Sequence, residues 1–164
     1  MNLPSRRALN FVGFLACAGM MAYALYAEHK LFLDPCPLCI FQRIAVIGMG
    51  LGFLLLALHN PGPGWARRIY LGFLGLFAIE GLVVAGRHVW LQHLPADEVP
   101  SCGPGLGYMV ENFPFADALK MVFTGSGECA SVSWSFLGLS MPAWVLIAVI
   151  GMLVGAVWNN ILRP

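Results

Sequence analysis

Four apolar runs dominate the chain: Leu9 to about Ala27, Ile40 to Leu58, Ile69 to about Trp90 and Pro142 to about Ile161. At helical rise each is long enough to cross a hydrocarbon core of ~30 Å. The composition agrees: 59% of residues are hydrophobic, 10% are charged and the mean hydropathy is +0.78, whereas soluble domains are about a quarter charged. The sequence therefore predicts an all-α membrane protein, a four-transmembrane-helix bundle forming one domain over residues 1–164, with helices at about 9–27, 40–58, 69–90 and 142–161. The loops between them fall at about 28–39, 59–68 and 91–141.

Charge orients this bundle. Arg6, Arg7, Arg67, Arg68 and Arg163 flank the runs on one side with no acid among them, while every acid except Glu80 lies on the other side or at its edge. The positive-inside rule then puts both termini and the 59–68 loop in the cytoplasm and the other two loops outside. Ser5-Arg6-Arg7-Ala8-Leu9 and Leu15-Ala16-Cys17 faintly resemble a twin-arginine signal and a lipoprotein box. The first run is longer than a signal peptide's apolar region, and the residues after Cys17 stay apolar, so neither is adopted.

Within the runs, Gly48/Gly52 and Gly151/Gly155 have the spacing of close helix packing. Gly48-Met49-Gly50-Leu51-Gly52 lacks the preceding strand that a dinucleotide loop needs. Cys17 reads as a packed or lipid-facing small hydrophobe. Glu80, at mid-depth, has to face the bundle, where a structural hydrogen bond is favoured over a proton relay. Arg87 reads as a snorkelling anchor. In the 91–141 loop, Phe115, Leu119, Val122 and Phe123 share one face of a short amphipathic helix expected to lie flat on the bilayer.

Chemistry concentrates in cysteines. Net charge is +1, and the sequence holds no Walker A, H-E-x-x-H or serine-nucleophile pattern. Cys36 and Cys39 form a C-x-x-C at the mouth of the second run, and Cys102 and Cys129 sit in the outer loop. In a helix starting near Cys39, Arg43 lies one turn deeper on the same face, where its cation favours a thiolate over a thiol. A zinc site is the competing reading of the C-x-x-C. Zn²⁺ usually takes four N/S ligands and is repelled by a neighbouring arginine, so redox chemistry is preferred and no metal is assigned. His88, at the outer end of the third run, is placed to donate a proton or a hydrogen bond to a redox centre.

Converting two thiols to a disulfide releases two electrons that a thiol cascade cannot store. No flavin or haem motif is present, and a C-x-x-C at a bilayer surface is within reach of a lipid-soluble quinone. Attack by the Cys39 thiolate on the ring, then by Cys36 on the Cys39 sulfur, gives disulfide and quinol, with Arg43 favouring the developing oxyanion.

Cys36-Pro37-Leu38-Cys39-x-x-x-Arg43, His88, Cys102, Gly127-Glu128-Cys129 and Trp134-x-Phe136-Leu137-Gly138-Leu139-x-Met141-Pro142 together resemble the bacterial disulfide bond formation protein B (DsbB) family. The resemblance spans nearly the whole chain. It implies an inner-membrane enzyme that reoxidises a periplasmic thioredoxin-fold dithiol oxidase, DsbA, and reduces a quinone, either ubiquinone or menaquinone. It further implies that Cys36 and Cys39 pass electrons to the quinone beside Arg43 and His88, that Cys102 forms the mixed disulfide with the partner, and that Cys129 exchanges with Cys36. Gln42 stands where some members carry an acid, with no change of mechanism expected. The alternatives are a vitamin K epoxide reductase-like enzyme, whose C-x-x-C typically lies late in the chain, a thiol transporter, for which only Cys17 lies within a helix, and a scaffold with structural disulfides.

Overall fold

The computed structural model describes residues 4–95, 97–100, 106–125 and 127–163. Long helices cover α1 (Arg6–Leu31), α2 (Pro37–His59), α3 (Trp65–Leu91) and, after the outer loop, α7 (Met141–Val157), which continues into a π-helical turn at Trp158–Leu162. All four are long and apolar enough to cross a membrane. The first three helices run a few residues past the apolar runs. The Ser5 side chain accepts from the Ala8 N–H at 3.2 Å to start α1, and α2 opens on Pro37, where the missing N–H has no helical partner to lose. Glu28, His29 and Lys30 consequently belong to the last turns of α1 and not to a loop.

Close approach of α2 to its neighbours rests on glycine. A Cβ on Gly48 would overlap the Phe77 ring of α3, and one on Gly52 would lie 3.0 Å from the Leu74 Cβ. The matching expectation for Gly151 and Gly155 is corrected: both are exposed and nothing lies within 4 Å of either, because that face of α7 looks away from the bundle. Cys17 is packed, with its Sγ 3.4 Å from the Met152 Sδ. Both Glu80 carboxyl oxygens are buried without a hydrogen-bond partner among the described residues, so the expected structural hydrogen bond is absent there.

At one end of the bundle, three buried asparagines tie the chain's extremities together. The Asn10 Oδ1 accepts from the side-chain amides of Asn159 (3.2 Å) and Asn160 (3.0 Å), and the Asn10 amide donates to the Asn160 Oδ1 at 3.1 Å. Arg67 adds the α2–α3 connection by donating to the Pro61 and Asn160 carbonyls. Both chain extremities and the 59–68 connection thus share one end, as the arginine distribution predicts.

The opposite end is roofed by the outer loop, which includes α4 (Leu106–Asn112), α5 (Phe115–Thr124), α6 (Gly127–Ala130) and a hairpin of β1 (Ser135–Phe136) and β2 (Leu139–Ser140). Leu137 and Gly138 both have positive φ, 51° and 79°, as a two-residue primed turn requires. The amphipathic segment is helical, but much of its apolar face is spent on protein. Val122 is buried with Leu38, Val84 and Leu91, and the Phe123 ring lies 6.4 Å from that of Phe41. Arg87, expected to snorkel, instead clasps this roof: it donates to the Phe123 and Thr124 carbonyls at 3.1 and 3.0 Å and stacks 4.1 Å over Trp90. Gly125 closes α5 at φ +87°, where a Cβ would meet the Leu91 side chain at 2.5 Å.

Candidate active site

Under that roof the cysteines converge. Cys36 is the N-cap of α2, and its Sγ accepts from the Cys39 N–H at 3.4 Å. The C-x-x-C spacing across a helix start brings the two sulfurs 3.1 Å apart, with Cys36 donating to Cys39. From α6, Cys129 arrives on the other side of Cys36. The Cys36 Sγ, the Cys129 Sγ and a His88 ring nitrogen all lie within 4.8 Å of one another. All three residues are buried. Hydrogen bonding to Cys129 and then to Cys39, with burial third, pushes the Cys36 thiol well above the ordinary thiol range. Cys36 is therefore held as a protonated sulfur between two potential exchange partners.

His88 is fixed from both sides. Its Nε2 lies 3.9 Å from the Cys36 Sγ, and its Nδ1 is 3.0 Å from the Gln42 side-chain nitrogen. Gln42 is 5% exposed, so this contact occupies a buried amide that otherwise has little access to water. Sequence reasoning passed over Gln42 as a site residue. The available signal was its position three residues after Cys39, one turn along the same helix face.

Arg43 lines the same cavity as Cys36, Cys39, Gln42 and His88. Its guanidinium is paired with Glu28 of α1 at 2.5 Å and reaches the Ala24 carbonyl at 3.5 Å. The cation predicted to act on Cys39 thus acts as one half of an ion pair, a partner that the assignment of Glu28 to a loop concealed. Cys102 lies outside the described residues, as do Gly103 and Gly105.

The cavity continues into a second, largely apolar groove. Met20, Ala24, Trp134, Met141 and Val145 line both, and Gly19, Tyr23, Trp144 and Ala148 extend the groove between α1 and α7. Trp134 stands at the junction, edge-on to Tyr23 at 5.8 Å and stacked on Phe136 at 6.3 Å.

Comparison with known proteins agrees with this arrangement. The family model described as Disulfide bond formation protein DsbB matches residues 6–159. A disulfide bond formation protein B from Methylococcus capsulatus is 53% identical over 153 residues, covering 93% of this chain and 92% of the relative. The protein of the same name from Nitrosococcus oceani is 51% identical over 157 residues (94% and 91%), and that from Stutzerimonas stutzeri is 47% identical over 163 residues (99% of each). With four apolar helices carrying a buried sulfur cluster at one end, and matches that run almost end to end, the chain belongs to the DsbB family of disulfide bond formation proteins.

Proposed function

We propose that this protein is a thiol:quinone oxidoreductase of the bacterial inner membrane. It reoxidises a periplasmic DsbA-type thioredoxin-fold dithiol oxidase and passes the electrons to ubiquinone or menaquinone, so that disulfides are made de novo. Both termini face the cytoplasm and the active cysteines face the periplasm. The observation that carries this reading is the position of the Cys36 sulfur, 3.1 Å from Cys39 and within 4.8 Å of Cys129, beside a cavity that runs into an apolar groove.

The residues fit a quinone. A polar ring needs hydrogen-bond donors at its oxygens and a lipid tail needs an apolar channel. The cavity offers the Arg43 and His88 side chains, and the groove beyond Trp134 offers aliphatic and aromatic ones. Bound there, a quinone supplies a two-electron, two-proton acceptor. The chain's own residues supply the exchange chemistry. A Cys36–Cys39 disulfide attacked at Cys36 by the Cys129 sulfur breaks one S–S bond as another forms, and Cys39 leaves as a thiolate into the cavity. A partner thiolate attacks Cys102 of a Cys102–Cys129 disulfide, Cys129 leaves as the thiolate that goes on to Cys36, and the partner's second thiol resolves the mixed disulfide, so the partner departs oxidised and Cys102 is left as a thiol. Once the Cys102 thiol takes Cys129 back from Cys36, Cys36 and Cys39 are left as a dithiol whose reoxidation to the disulfide would pass two electrons and two protons to the acceptor, and His88 lies where it can move the Cys36 proton.

The test mixes purified protein with a reduced thioredoxin-fold dithiol oxidase and either ubiquinone or menaquinone while following quinone absorbance. Loss of quinone absorbance, stoichiometric with partner disulfide formed, is the expected result. Partner oxidation without quinone loss, or inert bridges in the presence of both, contradicts it.

A further inference from the structure

We propose that in its fully reduced state the protein captures a zinc ion between Cys36, Cys129 and His88, with the fourth position open to a water or other small ligand. These residues come from three different elements, the α2 N-cap, α6 and α3, which is why the C-x-x-C by itself gave no metal signature. Among the described residues theirs is the one Cys/His/Asp/Glu grouping whose ligand atoms converge in this way, all within 4.8 Å, and every member is buried.

The spacing is close to what zinc needs. Tetrahedral coordination with Zn–S bonds of about 2.3 Å sets sulfurs about 3.8 Å apart. The Cys36 Sγ to His88 Nε2 distance is 3.9 Å, and the Cys129 Sγ lies within 4.8 Å of both, so a modest closure brings the three onto one ion. Thiolate and imidazole are the ligand types that zinc prefers over oxygen donors.

Two further features support a metal ligand set. A metal-binding histidine almost always uses its second ring nitrogen on a neighbouring polar group, which orients the ring. Gln42 occupies the His88 Nδ1 at 3.0 Å and leaves Nε2 directed at Cys36. Turning the Gln42 amide presents its oxygen to Nδ1–H and leaves Nε2 with the lone pair that a metal takes. The objection from Arg43 also weakens, because Glu28 counters its charge.

The site depends on redox state. Disulfides among Cys36, Cys39 and Cys129 consume the ligands, so metal competes only with the reduced chain. Electrons that arrive without an acceptor then leave a thiol cluster open to zinc, which holds the chain idle until the metal is withdrawn. The inference stands on ligand geometry and does not require the acceptor to be a quinone.

The experiment adds Zn²⁺, and Co²⁺ as a spectroscopic probe, to the full-length protein in detergent, once reduced with a phosphine and once oxidised. Mg²⁺ serves as the control. One zinc per reduced chain after gel filtration is expected, with a sulfur-to-cobalt charge-transfer band and Cys36 and Cys129 protected from alkylation. The oxidised chain retains none. Cys129→Ser and His88→Gln each weaken binding by at least about 100-fold, and Gln42→Leu, which removes only the orienting contact, by about 10–100-fold. Cys17→Ser leaves binding unchanged. Equal retention by oxidised and reduced protein overturns the proposal, as does wild-type affinity in both ligand variants. Because oxidised and reduced arms use the same folded protein, a variant that fails to insert does not decide the outcome. Zinc binding by a protein inactive with quinone supports this inference while removing the preceding one.

Discussion

The two ends of the bundle both bury polar groups, and they treat them differently. At the end holding the chain extremities, Asn10, Asn159 and Asn160 bond chiefly to one another and to nearby backbone, in one arrangement that ties α1 to the π-helical turn. At the cysteine end, the central sulfur has more than one potential partner: Cys36 faces Cys39, Cys129 and His88 together. A set of amides that donate to one another and to nearby backbone fixes one structure, with only the Asn159 Oδ1 lacking a partner among the described residues, whereas a sulfur within reach of two others can change covalent partner with little movement of backbone. The first end holds the fold and the second carries the exchange.

This contrast can be broken most severely at Cys36. Cys36→Ser removes the sulfur that links Cys39 to Cys129, and dithiol-driven quinone reduction is expected to fall to background while thermal stability in detergent shifts little. Retained turnover in this variant removes the shared-sulfur account. Next in size is Gly48→Leu at the α2–α3 contact, where new side-chain atoms would occupy the volume of the Phe77 ring. Overpacking costs of about 1–3 kcal/mol or more predict a lower melting temperature and lower membrane yield, without a change in turnover per folded molecule.

Asn10→Leu tests the locked end. It leaves the Asn159 and Asn160 amides without their shared acceptor, and an unsatisfied buried donor costs about 1–3 kcal/mol. Thermal unfolding should move down while quinone kinetics stay within about twofold; a kinetic loss larger than the stability loss would show that the two ends are coupled. The pH arm concerns Cys36, whose thiol is raised above its ordinary value by its sulfur neighbours and burial. The thiolate is the reactive form, so alkylation of Cys36 in the reduced protein should be slower than for a free thiol at pH 8 and keep climbing as pH rises through the ordinary thiol range. A plateau below that range contradicts the assignment. The smallest effect is expected at Glu28→Gln, which releases a part-exposed ion pair worth about 0–1 kcal/mol in stability. It should leave the fold intact and tighten apparent quinone affinity by freeing Arg43, whereas Arg43→Met should loosen it.

Much of this was readable in the chain because it rests on local chemistry. Uninterrupted apolar runs specify the spans, one-sided arginines place the two extremities together, and a C-x-x-C at a helix start brings two sulfurs within contact. His88 was legible as a histidine at the correct depth. What sequence could not supply is which side chain meets which across helices. Gln42 looks like a neutral substitution until α3 places His88 against it. Glu28 looks like loop polarity until α1 is seen to continue to Leu31 and bring the carboxylate onto Arg43. Gly151 and Gly155 have the same spacing as Gly48 and Gly52, yet only the second pair meets a neighbour, because spacing defines a helix face without saying where that face points. Arg87 has the flanks of a snorkelling residue, but its partners are carbonyls of a loop more than thirty residues later.

The central claim is that one sulfur, Cys36, bonds in turn with Cys39 and Cys129. Its most direct test is disulfide mapping by mass spectrometry in two backgrounds after mild oxidation of the purified membrane protein. With Cys39→Ser and Cys102→Ser combined, the account predicts a Cys36–Cys129 disulfide; with Cys129→Ser and Cys102→Ser combined, it predicts Cys36–Cys39. Formation of only the second bond, with Cys36 and Cys129 remaining as separate thiols in the first background, would contradict it.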